Sequence, residues 1–452
     1  MTDLADRYGA IFKAYDVRGT VPDQFDAAMA GRIGAAFARF CTDRDPLVTR
    51  VLMARDMRPS GVEMTRSFAD GVTSQGLDVV DLGLGSTDLL YFAAGSMNAP
   101  GAMFTASHNP AGYNGIKFCL SGARPVGEES GLFEIRDGAV AGLGATATRG
   151  IVSTHDALSD FAAHVRSFVD VGALRPLKVV ADTANGMGGL VVPAAFAGLP
   201  FDLEIMYGEL DGTFPNHPAD PIQPENQRDL MARVVDVGAD VGLACDGDAD
   251  RVFLVDELGV GVSGSTTTAI LADALIRRNG GGKVVHNLIC SKAVPEVIIE
   301  AGGEPVRSRV GHSFIKSVMA ETGAIFGGEH SAHYYFADNY RADSGLIAAV
   351  LVLEQMSIRN ISLSELRAPY ERYSSSGEIN TTVSDAALVI ERVSEVYSSA
   401  RQDRLDGLTV DLGDWWFNLR PSNTEPLLRL NLEAPTAAEV DVHVDEVRSL
   451  LA

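Results

Sequence analysis

Short apolar runs recur along the chain. Each is followed by a cluster of Gly, Ser, Asn, Asp or Pro and then by a stretch of helical spacing, so strands should alternate with helices and end in loops. Strand-like runs fall at 51–54, 79–82, the segment ending at Phe104, 178–182, 240–246 and 284–288. Helical patterns cover 27–40, 128–137, a stretch from about Glu225, 262–279 and the approach to Glu321, and Asp343 is placed to cap a helix running through Met356. Turn chemistry dominates 13–20, 55–60 and 83–88. The last 75 or so residues differ: strands at 378–383, 408–412, 415–419 and 427–431 surround a helix at 385–397, with another helix closing the chain.

This alternation predicts layered α/β units with loops gathered at strand ends, where ligands usually bind, followed by a small α+β cap. A chain of 452 residues is too long for one ordinary core. Boundaries are expected at 1–152, 153–255, 256–362 and 363–452. The polar, serine-rich segment 361–376 is the linker expected before the cap. The glycines of 183–189 follow a strand, but they lack the G-x-G-x-x-G spacing of a dinucleotide site.

Two loops carry chemistry. In Gly101–Gly115, GAMFTASHNPAGYNG, the residues after Phe104 suit neither helix nor sheet, which places Ser107 on a loop tip. A serine that does chemistry needs a base, an attached electrophile or a metal. Its neighbour His108 is not expected to face it. Far along the chain, LACDGDADRV places Asp246, Asp248 and Asp250 at alternating positions after an apolar run, and in an extended segment the three carboxylates share one side. Held that close they repel unless a cation lies between them, and all-oxygen ligation suits magnesium.

Composition narrows the partners. A formal charge of −23 argues against nucleic acid, and an apolar content of 46% beside 21% charged residues is that of a soluble globular protein. Cys41, Cys119, Cys245 and Cys290 lack metal-site spacing, which points to buried thiols in a reducing cytoplasm. The N-terminal stretch carries acids and no apolar core, unlike a signal peptide, and the longest apolar run, 346–353, is too short for a bilayer.

TASHNP followed by Lys117, then DGDADR, GGEHSAH at 327–333 and RPSNTEP at 420–426 stand in the order of the α-D-phosphohexomutase superfamily, and the chain most resembles its phosphomannomutase/phosphoglucomutase branch. The resemblance implies three similar α/β domains and a different fourth around a central cleft. It also implies a mutase that interconverts hexose 1-phosphate and hexose 6-phosphate through a phosphoserine and a hexose 1,6-bisphosphate. Mannose is the expected sugar, with glucose also accepted. On this reading Ser107 carries the phosphate and is also a metal ligand, with Asp246, Asp248 and Asp250 holding one magnesium ion. Arg18, Lys117 and Arg251 supply charge, His108 positions the phosphoserine, and Tyr15 approaches the centre. His312, His333 and Lys117 are acid/base candidates, and His312 and His333 also reach the substrate. Glu329 and Ser331 meet the sugar; Arg420, Ser422, Asn423, Thr424 and Arg429 hold the distal phosphate.

The expected partner is a small phosphosugar, with neither nucleic acid nor membrane, on a cytoplasmic monomer or homodimer. Ala332 stands where the family often has glycine. Ile289 stands where some relatives have a lysine, for which Lys292 is the candidate substitute. Three alternatives remain at this point: a phosphoglucosamine mutase, a non-catalytic phosphosugar-binding protein, and a phosphatase-like enzyme that forms an aspartyl phosphate at Asp246.

Overall fold

The computed structural model describes residues 2–421 and 427–451, without the side chains of Thr2, Asp3 and His312. It divides into two compact units, 1–263 with 331–364, and 264–330 with 365–452.

The first unit opens with α1 (Thr2–Ile11), β1 (Val17–Thr20), α2 (Ala27–Arg44), β2 (Arg50–Arg55), α3 (Gly61–Ser74), β3 (Asp78–Leu84), α4 (Thr87–Ser96), β4 (Gly101–Phe104), β5 (Tyr113–Leu120), β6 (Arg124–Pro125), α5 (Leu132–Ala141) and β7 (Val152–Thr154). Its first sheet runs β1-β5-β4-β2-β3-β7, with β6 on β5. The pairs among β4, β2, β3 and β7 are parallel, and β5 is antiparallel to both β4 and β1. Phe37, Phe68, Phe104 and Phe118 fill the space between helices and sheet, with the Phe37 and Phe118 ring centroids 4.5 Å apart.

Next come α6 (Leu158–Arg166), β8 (Leu177–Asp182), α7 (Gly188–Phe196), β9 (Phe201–Met206), α8 (Arg228–Val237), β10 (Val241–Cys245), β11 (Val252–Asp256) and β12 (Gly261–Val262), whose sheet order is β12-β11-β10-β8-β9. In the second unit α9 (Gly264–Asn279), β13 (Lys283–Asn287), α10 (Ala293–Glu300), β14 (Glu304–Ser308), α11 (His312–Thr322) and β15 (Phe326–Gly328) form a third layer of parallel strands and helices. The chain returns to the first unit with β16 (Tyr334–Phe336), α12 (Gly345–Arg359) and the first two residues of α13 (Leu363–Arg367). It closes in the second unit with β17 (Ser374–Thr382), α14 (Ala386–Val396), β18 (Arg401–Asp403), β19 (Leu408–Asp411), β20 (Trp416–Pro421), β21 (Leu427–Ala434) and α15 (Ala437–Ser449). That last sheet, β17-β21-β20-β19-β18, is antiparallel throughout. Three mixed α/β layers and a smaller α+β layer are therefore present, as the pattern predicts.

Several local expectations change. Residues 2–11, read only as lacking an apolar core, form α1, which buries Tyr8 and Ile11. The predicted turn at 13–20 ends in a strand, and Gly115, placed in the loop, lies inside β5. A Cβ at Gly115 would stand 2.1 Å from Val17 O, so its missing side chain lets β1 approach rather than ending the sheet. The serines expected to form a linker open β17 instead. Ser344, not Asp343, caps α12, because its Oγ accepts from Ile347 N. The boundary expected after residue 152 falls within β7, whose partner is β3 of the first sheet.

Candidate active site

Sheet geometry brings the two chemical loops together. β4 delivers residues 105–112 and β10 delivers 246–251, and Ser107 Oγ donates to Asp246 Oδ2 at 2.9 Å. On that loop Ser107 is buried, 4% accessible. Its φ of 49° is left-handed, and that turn brings His108 to the same side, so Ser107 Oγ lies 3.3 Å from His108 Nδ1. The two adjacent side chains thus do face each other. Arg251 Nη2 donates to the same Nδ1 at 2.6 Å, which fixes it as an acceptor and leaves the imidazole proton on Nε2. Burial first, and then the charges of Arg251 and Arg18, hold His108 well below the usual histidine range.

The three aspartates converge for a reason other than the one expected. Residues 246–251 lie between strands and are not extended; Ala249 has φ 58° and its N–H closes a turn on Asp246 O at 3.2 Å. The curl, rather than strand alternation, points the carboxylates inward, and all three are buried. Gly247 has no room for a side chain, because a Cβ there would sit 2.5 Å from Ser107 O. Lys117, on β5, donates to Asp248 Oδ2 and Asp250 Oδ2, each at 2.7 Å. Arg251 reaches Asp246 Oδ2 through Nε at 2.9 Å and Nη2 at 2.8 Å.

Burial pushes the Asp246 carboxyl well above the usual carboxylate range against the pull of Arg251. For Asp248 burial is outweighed by Lys117 and Thr87, which hold it below that range. Burial alone would lower Lys117, but Asp248 and Asp250 hold it well above its ordinary value.

These residues fit a divalent cation. The ligand oxygens of Asp246, Asp248 and Asp250 lie within 4.8 Å of one another. Asp248 Oδ1 and Asp250 Oδ1 are buried and accept no hydrogen bond among the described residues. Three carboxylates against Lys117 and Arg251 leave one negative charge in excess, and an all-oxygen set suits magnesium. Asp250, His333 and Asp343 form an overlapping cluster whose nitrogen suits magnesium less well.

The remaining predicted residues are distributed as follows. Arg18, on β1, bonds Asn109 Oδ1 and Asp16 and so touches the Ser107 loop. Tyr15 is half-buried on the bend before β1. His333 Nε2 stands 3.8 Å from Asp250 Oδ1, and its Nδ1 lies 3.1 Å from Ser331 Oγ, so both join the aspartate side of the site. In the second unit Glu329 is buried and accepts from Gly311 N at 3.1 Å and Asn287 Nδ2 at 3.2 Å. Arg420 and Arg429 converge on Glu378, at 2.8 and 3.4 Å. The side chain of His312, and Ser422, Asn423 and Thr424, lie outside the described residues. Lys292, the candidate substitute for the lysine near Ile289, donates through Nζ to Gly413 O at 2.6 Å.

Sequence reading passed over Thr87. Its N–H donates to Asp248 O at 3.0 Å and its Oγ1 bonds Asp248 Oδ2, so the start of α4 braces the aspartate loop. The only local signal was a cap-like Ser-Thr-Asp after a strand.

Comparison with known proteins agrees with this architecture. The family descriptions "Phosphoglucomutase/phosphomannomutase, alpha/beta/alpha domain I", "domain II" and "domain III" match residues 9–139, 159–259 and 263–373, and the C-terminal domain of the same family matches 378–450. The chain is 41% identical over 448 residues to "Phosphohexose mutases" of Xanthomonas campestris pv. campestris, covering 97% of this chain and 98% of that one. It is 37% identical to a phosphomannomutase of Salmonella typhimurium, covering 98% of each. A crystal structure of a phosphoglucomutase/phosphomannomutase family protein from Burkholderia thailandensis superposes with a TM-score of 0.88 at 31% identity, over 98% of this chain and 97% of that one. The chain belongs to the phosphoglucomutase/phosphomannomutase family. It is a phosphosugar mutase.

Proposed function

We propose that the chain interconverts hexose 1-phosphate and hexose 6-phosphate through a phosphorylated Ser107 and a hexose 1,6-bisphosphate, with mannose the preferred sugar and glucose a second. The observation that carries this reading is the Ser107 Oγ hydrogen bond to Asp246 at 2.9 Å, inside a buried set of carboxylates and cations. A phosphoryl group leaving Ser107 Oγ for the free hydroxyl of a hexose monophosphate breaks one P–O bond and forms another, while the hydroxyl proton passes to a base. The bisphosphate then turns end for end, and its other phosphate returns to Ser107.

Positioning and charge stabilisation supply most of the catalysis in such transfers. Lys117, Arg251 and Arg18 surround the serine loop with positive charge, and His108, kept neutral, orients the phosphate. One magnesium ion held by Asp246, Asp248 and Asp250 would neutralise the transferring oxygens. His333, beside Asp250, and Lys117 are the acid/base candidates near the serine. Arg420 and Arg429, with Ser422, Asn423 and Thr424, hold the distal phosphate; Glu329, Ser331, His312 and Tyr15 serve the sugar. The preference for mannose follows the phosphomannomutase relative.

Intact mass after incubation with glucose 1,6-bisphosphate should show one acid-stable phosphate that disappears in Ser107→Ala. A hydroxylamine-labile phosphate on Asp246 would overturn the reading. In a coupled assay kcat/KM should be higher for mannose 1-phosphate than for glucose 1-phosphate or glucosamine 1-phosphate. Preference for glucosamine would replace the sugar assignment.

A further inference from the structure

Three residues beyond β2, an arginine lies wholly inside the first unit. Arg58 has no accessible surface, and all five of its guanidinium N–H groups are used. Nε donates to Asp56 Oδ2 at 3.1 Å. Nη1 donates to Pro110 O at 2.8 Å and Tyr113 O at 3.0 Å, and Nη2 to Ser107 O at 2.9 Å and Asn109 O at 2.6 Å. Three main-chain carbonyls of the serine loop, and that of Tyr113 at the start of β5, thus converge on one planar cation. The cation cannot drift away: Asp56 also accepts from Arg58 N at 3.0 Å, the Phe214 ring lies 5.1 Å from Arg58 Cζ, and Gly212 packs against Arg58 Cα so closely that a Cβ would stand 2.7 Å away.

We propose that Arg58 is a positioning residue for phosphate exchange at Ser107, a role that rests on Ser107 being the phosphate carrier. Residues 105–112 form no ladder of their own; 105–107 are buried while 110–112 are exposed, and the carbonyls on the inner side of such a loop must find donors within the fold. Arg58 supplies three of the bonds, and a fourth to Tyr113 O, at a single point. One of them grips Ser107 O, the carbonyl of the residue held at φ 49°. A left-handed residue other than glycine is strained and persists only when its surroundings over-determine it. By fixing that backbone, Arg58 fixes where Oγ points, and so the 2.9 Å approach to Asp246. Lysine cannot do the same: it carries three donors at a point rather than five in a fixed fork. Arg58 touches neither substrate nor metal on this account, so its loss falls on the transfer step and not on binding of the sugar.

The test is a single-turnover measurement of phosphate transfer from glucose 1,6-bisphosphate to Ser107 in wild type and Arg58→Lys, with steady-state kcat and KM alongside. A loop displaced by up to an ångström costs about a hundredfold in rate. The transfer rate constant per folded molecule should therefore fall by about tenfold or more while KM for the hexose monophosphate stays within about twofold. A merely structural role lowers the amplitude, the fraction of molecules that react, and leaves the rate constant alone. A smaller fall in rate constant, or a loss carried by KM, overturns the proposal. Should Arg58→Lys fail to fold, the pair Asp56→Asn with Arg58→Gln removes both buried charges together and leaves neither ion unpaired, and the same criteria apply. Wild type that takes no phosphate on Ser107 removes the carrier reading and this one with it. Wild type that is phosphorylated at the same rate as the variant removes this one alone.

Discussion

Gly247 offers the sharpest test of how the two loops work as one. A Cβ added there would lie 2.5 Å from Ser107 O, 3.4 Å from Ser107 C and 3.5 Å from the Ala219 Cβ. Real Cβ atoms essentially never come within 3.0 Å of such a neighbour, so Gly247→Ala must open a gap of about 0.5 Å between the serine and aspartate loops. Ser107 cannot give readily, because Arg58 holds its carbonyl, and the added methyl group also meets the Ala219 Cβ. Stretching the 2.9 Å contact between Ser107 Oγ and Asp246 by that amount takes it to about 3.4 Å, at the limit of a hydrogen bond. Overpacking of this kind costs about 1–3 kcal/mol of stability, and misplacement on the scale of an ångström costs about a hundredfold in rate. The variant should melt lower yet stay folded at assay temperature, with kcat down about 30- to 100-fold and KM little changed. A coupled mutase assay at saturating bisphosphate, with circular dichroism on the same sample, reads both. A folded Gly247→Ala enzyme within about threefold of wild-type kcat would refute the claim that these loops are in obligatory contact.

Other outcomes follow from single groups. Asp88 is buried where Ser86 and Ser344, the caps of α4 and α12, both bond it, and burial raises its carboxyl to about 7. Since the folded value exceeds the unfolded one, its stabilising contribution is complete at low pH and is lost as pH rises from about 4 through about 7. In metal-free protein Asp88→Asn should therefore gain on wild type between pH 5 and pH 8, by at most about 3 kcal/mol, and parallel denaturation curves would exclude the effect. Ala332 is buried with φ 65°; Ala332→Gly relieves about 1–2 kcal/mol of strain against about 0.4–1 kcal/mol of added unfolded-state entropy, so the midpoint of thermal unfolding should rise slightly. Arg420→Ala leaves Glu378 with its 3.4 Å contact to Arg429 as its one ion pair among the described residues, and KM for hexose monophosphate should rise by about tenfold or more with a smaller change in kcat, read in the same coupled assay.

The chain's own text was enough for the layering. Apolar runs punctuated by turn residues mark β4 and β10 and the loops that follow them, because the period of burial is local to each strand. Four motifs in order name the family for the same reason: each is a short, contiguous set of donors or acids. Packing decided the rest. Alternation placed the aspartates on one side of a strand, whereas a left-handed Ala249 in a turn gathers them. Neighbours in sequence were expected to diverge at Ser107 and His108, and a left-handed serine turns them together.

Nothing near Arg58 in sequence announces that four of its N–H groups will be taken by carbonyls some fifty residues away, or that Thr87 will brace Asp248. The Arg58 contacts depend on β2 and β4 lying side by side in the first sheet, and the Thr87 contact on that sheet and the one holding β10 coming together, which is set by the burial of whole faces and not by any short stretch. Local pattern thus determined what chemistry the chain carries and on which loops. Only the tertiary structure decided which backbone holds the serine against the acids, because that is a property of contacts between residues far apart in the chain, 49 for Arg58 with Ser107 and 139 for Ser107 with Asp246.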